Sequence, residues 1–172
     1  MKKNFSFILI LLTVLLSTFI ISLMFIPAIK YSDGAKIIRF SAADLAFGDT
    51  EATRDIVVAS GNIKILNSPL VLLAFILPLI VSMITIFVHV ISLKKAVIMP
   101  AILILTLLYS TVVFIIIRNI TFYTVDGVKH GFSNFRFSYT YYIVIAVGIF
   151  TLFTSIIYAI LRNKFNTNKK FF

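Results

Sequence analysis

The chain has 172 residues, 60% of them hydrophobic and 13% charged, with a mean hydropathy of +1.09. A soluble domain carries about 25% charged residues, so this composition excludes that class and indicates an integral membrane protein. The absence of cysteine excludes disulfide scaffolds, thiolate metal sites and Cys-x-x-Cys redox chemistry. The net charge of +10 falls mostly beside apolar runs, where it meets anionic lipid rather than nucleic acid.

The first apolar run, about 5–26, follows Lys2 and Lys3 and exceeds the roughly 7 to 15 residues of a secretory signal core. It reads as an uncleaved signal anchor and first transmembrane helix, closed by Pro27 and Lys30. Thr13 with Ser17, and Thr18 with Ser22, are i,i+4 pairs that let another helix approach closely.

A polar loop, 28–69, comes next. In it Ser41-Ala-Ala-Asp44-Leu-Ala-Phe47-Gly48 reads as a short helix: Ser41 and Asp44 can cap it reciprocally, and Gly48 can end it. Asp44, Phe47 and Gly48 make this stretch the candidate interaction loop. Lys36–Phe40, and a hairpin from Asp55–Ala59 with Asn62–Leu66 around Ser60-Gly61, read as strands.

The second helix is expected at about 70–93. Ala74, Pro78, Ser82, Thr85 and His89 share one narrow stripe at 3.6 residues per turn. The stripe reads as a helix-packing face kinked by proline, with a polar path through the membrane as the competing reading. Lys94-Lys95 is so short a connector that the third helix, about 96–117, must return antiparallel. A second outer loop, 119–140, carries Asp126-Gly127 between β-branched residues, a strong hairpin signal. Tyrosines up to Tyr142 suit a membrane interface, and the fourth helix, about 142–161, presents Gly148, Thr151, Ser155 and Ala159 on one face. The tail from Arg162 is basic.

Lys2, Lys3, Lys94, Lys95, Arg162, Lys164, Lys169 and Lys170 occupy short segments without an acid, whereas all six acids fall in the two long loops. Those loops, together with Arg118 at the edge of the second, also hold eight of the sixteen basic residues, so density near helix ends, not number, puts both termini in the cytoplasm. Anionic lipid is the expected partner of the inside segments.

Within the four runs His89 is the lone titratable group of catalytic type, and no histidine or carboxylate accompanies it there. His-x-x-x-His, Gly-x-Ser-x-Gly and phosphate-cradling glycine loops are absent. Asp44, Asp49, Glu51 and Asp55 are too irregularly spaced, with Arg54 among them, for a calcium loop. No catalytic residue, metal or cofactor is expected.

The lysine-started helix, the loop with Ala43-Asp44-Leu45-Ala46-Phe47-Gly48 and the three later helices resemble small four-helix membrane proteins of low-GC Gram-positive bacteria. The absence of tryptophan and the preference for lysine over arginine fit such a source. The layout is also similar to claudin-type proteins, which implies a bundle under a small sheet. The tryptophan motif and cysteine pair of that family are missing, so no barrier or pore role carries over.

The expectation is one domain, 1–172: an all-α membrane protein with four transmembrane helices in a bundle and a small β-rich extracytoplasmic cap from the two outer loops. It is a non-enzymatic plasma-membrane protein that contacts a protein or envelope partner, or a second copy of itself. The alternative is a small oligomeric transporter or channel.

Overall fold

The computed structural model describes residues 2–32, 37–48, 57–58, 61–91, 98–132 and 135–168. Four long helices dominate: α1 (Lys2–Leu23), α3 (Pro69–Val90), α4 (Ile98–Ile120) and α5 (Tyr139–Asn168), with a short α2 (Ala42–Phe47) between the first two. Each long helix contains an apolar span of 19 to 24 residues. At 1.5 Å per residue such spans cross the roughly 30 Å hydrocarbon core. α1 packs against α3 and α5, and α4 packs against the same two, so neighbours run α1, α3, α4, α5 and back to α1.

The strands all come from the two loops at one end of these helices. β1 (Pro27–Ser32) lies between β2 (Ile37–Ser41) and β7 (Arg136–Phe137) in an antiparallel sheet. A second antiparallel sheet has the order β3 (Val57–Val58), β4 (Gly61–Ile65), β5 (Phe122–Val125), β6 (Val128–Gly131). Each sheet therefore joins the first loop to the second, through β1 with β7 and through β4 with β5.

Two local elements follow the sequence chemistry closely. Asp126 and Gly127 have φ of 48° and 84°, and Val125 pairs with Val128, as a two-residue hairpin turn demands. In α2 the Ser41 Oγ accepts from the Asp44 amide at 3.2 Å, and the Asp44 carboxylate accepts from the Ser41 amide and hydroxyl at 2.8 Å each. This is a complete reciprocal cap.

Other boundaries and pairings differ from expectation. α1 ends at Leu23 rather than near 26, because Pro27 opens a strand where its missing amide costs no ladder bond. α3 and α4 are Pro69–Val90 and Ile98–Ile120, and 92–97, with the short connector, fall outside the described residues. α5 begins at Tyr139, three residues early, because Ser138 is already bonded to Ala28 O and sets the chain on its helical course. Two sheets form, and the strand of 37–41 pairs with β1, not with the hairpin. The hairpin pairs Val57 with Asn62 and Val58 with Gly61, so Gly61 lies in a strand, while 55, 56, 59 and 60 fall outside the described residues.

The larger core sits where helices meet strands. Ile29, Phe40, Leu45, Ile65, Phe75, Phe114, Phe132 and Phe135 are buried together there. Phe132 and Phe135 approach at 4.7 Å between ring centres, with Phe40 and Tyr123 against them. A smaller cluster of Leu9, Ile10, Leu103, Leu107 and Tyr158 fills the other end.

Gly48 holds the exit from α2. Its φ of 81° with ψ of −143° is open to glycine alone, and a Cβ there would meet Asn67 N at 2.9 Å. Gly48→Ala should cost about 2 kcal/mol or more. Gly131→Ala, where an added Cβ meets nothing within 4 Å, should stay within about 0.5 kcal/mol. Thermal unfolding of both variants in detergent checks the contrast.

Candidate functional site

The candidate loop is built by the cap of α2 and two backbone bonds. Ala43 N donates to Met24 O, just past α1, and Ser68 N donates to Leu45 O, just before α3. α2 is thus tied across two helix ends. Leu45 turns inward and is fully buried, whereas Phe47 is 56% exposed. The structure brings Asp44, Phe47 and Gly48 together at one corner but gives them different work. Asp44 caps the helix, Gly48 turns the chain, and Phe47 alone is offered outward. Asp49, Glu51 and Asp55, the other acids weighed for calcium, lie outside the described residues.

The stripe on α3 packs inward. Ala74, Pro78, Ser82 and Thr85 are buried among the chain's own helices. The Ser82 hydroxyl donates to Leu79 O at 2.9 Å and Thr85 to Val81 O at 2.7 Å, so both protons return to their own helix. The same habit recurs at mid-height on every partner: Thr13 to Leu9 O, Ser110 to Thr106 O, Thr111 to Leu107 O, Thr151 to Val147 O and Ser155 to Thr151 O. Thr13 and Thr154 touch across α1 and α5 at 3.4 Å, although each already donates to a backbone carbonyl. Ser17 Oγ, one turn along from Thr13, is buried without a hydrogen-bond partner.

His89 ends the stripe in a cluster that sequence reasoning missed. Its Nδ1 lies 3.2 Å from the hydroxyl of buried Tyr158 on α5, and Arg162 Nη1 donates to that hydroxyl at 2.5 Å. Arginine can only donate. With the Tyr158 oxygen accepting from Arg162, the hydroxyl hydrogen is available to His89 Nδ1 in the tautomer that carries its proton on Nε2. Phe7 of α1 lies beside the same ring, 6.0 Å between centres. Tyr158 and Arg162 are four residues apart on one helical face, which hints at the pair. Nothing in the sequence joins them to His89, 69 residues away.

The remaining interhelix bonds are also structural. Tyr109 donates to Leu70 O and Tyr141 to Ile115 O, both at 3.1 Å, tying α4 to α3 and α5 to α4. A cavity beneath the sheets is lined by Ala28, Ala42, Phe75, Phe114, Ile117, Tyr141 and Val144 and offers an occupant mostly carbon. Among the described residues no group of three or more histidines and acids gathers as a metal site would require.

No protein family, curated protein or solved structure matches this chain. Its chemistry has to be read from its own residues, and the cluster at His89 offers a buttress between helices.

Tyr158→Phe should cost about 1 kcal/mol, because it removes a buried hydroxyl that two half-buried polar partners share. Combined with His89→Leu, the loss should fall short of the sum of the two by about 1 kcal/mol. Ser17→Ala, which removes an unpaired buried hydroxyl, should be neutral or stabilising. Equilibrium unfolding in mixed micelles reads all of these.

Proposed function

We propose that this chain is a non-enzymatic, multi-pass plasma-membrane protein: a four-helix transmembrane bundle with both termini cytoplasmic and an extracytoplasmic cap that contacts a protein or envelope component. The observation that carries the reading is the cross-loop pairing of β1 with β7 and of β4 with β5. Helix connectors need no such order, and ordering a loop costs about 1 to 2 kcal/mol per residue in backbone entropy. A folded surface of this kind serves recognition, where preorganisation lowers the cost of binding. Phe47 is its exposed aromatic at the base, and β6 is an exposed edge strand beyond it. The dense cations of the short segments support the orientation. The order of helices and loops in the sequence resembles small four-helix membrane proteins of low-GC Gram-positive bacteria.

The second reading, an oligomeric transporter or channel, draws on Ser17 and the mid-height hydroxyls. It is weaker because the Ser82 and Thr85 protons are spent on their own helix and both side chains face the interior of one copy, not a shared axis. An ion stripped of water needs several replacement ligands, and these residues have little to spare. An enzyme reading draws on His89 alone, whose Nδ1 faces the Tyr158 hydroxyl in the buttress.

Cysteines placed singly at Ser60 and Ser133 should react with an impermeant thiol reagent in intact cells, and one at Asn168 should not. The reverse pattern would overturn the orientation. A photocrosslinking residue at Phe47 should trap one defined partner in native membranes, and Phe47→Ala should reduce recovery of that partner at least tenfold while Ser82→Ala with Thr85→Val leaves it intact. Flux of ions or solute through purified protein in liposomes, stopped by changing Ser82, Thr85 and His89 together to Ala, Val and Phe, would put the transporter reading first.

A further inference from the structure

The β2–β1–β7 sheet has two unlike faces. Pairing places Ile29 opposite Phe40 on one side and Phe137 on the other, and these three point to the core. The next residues along pair Lys30 with Arg39 and with Arg136. Directly opposed residues in antiparallel strands project to the same face, about 5 Å apart. Arg39, Lys30 and Arg136 therefore form an unbroken row of three exposed cations, about 10 Å from end to end, on the face turned away from the core. Like charges in opposed positions destabilise a sheet, so this row carries a cost in isolation.

The position of the row identifies what would neutralise it. β1 starts, and β2 and β7 end, at the level of the helix ends: Pro27 follows α1 and pairs with Ser41, the cap of α2, while Ser138 N, at the start of α5, donates to Ala28 O. The strands lead away from that level, and the face that carries the cations is the one turned from the core. Each cation stands two or three residues above that level, about 7 to 10 Å at 3.3 Å per residue. The headgroup layer beyond the hydrocarbon core is of similar depth, roughly 5 to 8 Å on each side.

We propose that the face bearing Arg39, Lys30 and Arg136 binds the phosphate headgroups of anionic phospholipids in the leaflet surrounding the strand-bearing loops. The three cations stand at phosphate height, spaced to meet adjacent headgroups, and arginine can grip phosphate oxygens with two parallel bonds. The site also accounts for cations in the outer loops that orientation does not require. It is independent of any protein partner at Phe47.

The test compares full-length protein with Lys30→Gln/Arg39→Gln/Arg136→Gln in bilayers of pure phosphatidylcholine and bilayers with one third phosphatidylglycerol. Melting temperature and the association of spin-labelled phosphatidylglycerol relative to phosphatidylcholine are read together. In phosphatidylcholine the triple variant should melt at or above the wild-type temperature, because the repulsion is gone. With phosphatidylglycerol the wild type should gain several degrees more than the variant, and the variant should lose at least half of the preference for the anionic label. Lys164→Gln/Lys169→Gln/Lys170→Gln, in the basic tail, should leave the difference between wild type and triple variant in place. Equal gains and equal preference in wild type and triple variant would overturn the proposal. So would a soluble glycerol-phosphate polymer reproducing the wild-type stabilisation in pure phosphatidylcholine, since the surface would then belong to a soluble polyanion.

Discussion

Ile29 is the residue through which most of the architecture is joined. It is fully buried at the centre of β1, the third residue of the strand, and pairs on one side with Phe40 and on the other with Phe137. Phe40 leads through Ser41 into the capped α2, which locks to the end of α1 and the start of α3; Phe137 leads through Ser138 into α5. A strand at the membrane surface must satisfy its backbone groups away from lipid. Here that requirement ties four helix ends into one sheet edge. The aromatic cluster of Phe40, Phe132, Phe135 and Tyr123 then covers the pairing, adding ring contacts of about 0.5 to 1.5 kcal/mol each beyond area burial.

The interior between the helices obeys the same rule by a different route. Hydroxyls that look like a polar path in sequence, Ser82 and Thr85 with Ser110, Thr111, Thr151 and Ser155, return their protons to carbonyls three or four residues back on their own helix. Small hydroxylated residues then serve for close approach, as where Thr13 meets Thr154. Pro78 fits the same scheme, since the carbonyl it leaves without an amide lies in the protein interior rather than in lipid.

What could be read from the residues was local. The capping box at Ser41 and Asp44 and the turn at Asp126-Gly127 depend on side chains and backbone conformations within four residues, and both stand as expected. The four helices followed from length and apolarity. Partner choice was not legible. The strand of 37–41 could pair with any exposed edge, and its true neighbour, β1, directly follows an apolar helix and starts with proline, a residue that usually argues against a strand. β7 has two residues, too few for any alternation to register. In the candidate site the sequence grouped Asp44, Phe47 and Gly48 without separating their parts: Phe47 is exposed, while Asp44 caps its helix and Gly48 ends it. The link from His89 to Tyr158 crosses from one helix to another, and periodicity within either helix says nothing of rotation between them.

The two faces of the β2–β1–β7 sheet put opposite demands on the same three strands. Apolar burial of Phe40, Ile29 and Phe137 stabilises the pairing, and the opposed cations of Arg39, Lys30 and Arg136 resist it. The apolar term does not depend on the surroundings, whereas the repulsion falls with salt and with any anion nearby. The strength of the joint between loops and helices is therefore set partly by what lies outside the protein. Since β1 and β7 link the first loop to the second, a change of charge beside this face acts on the pairing that joins the two loops.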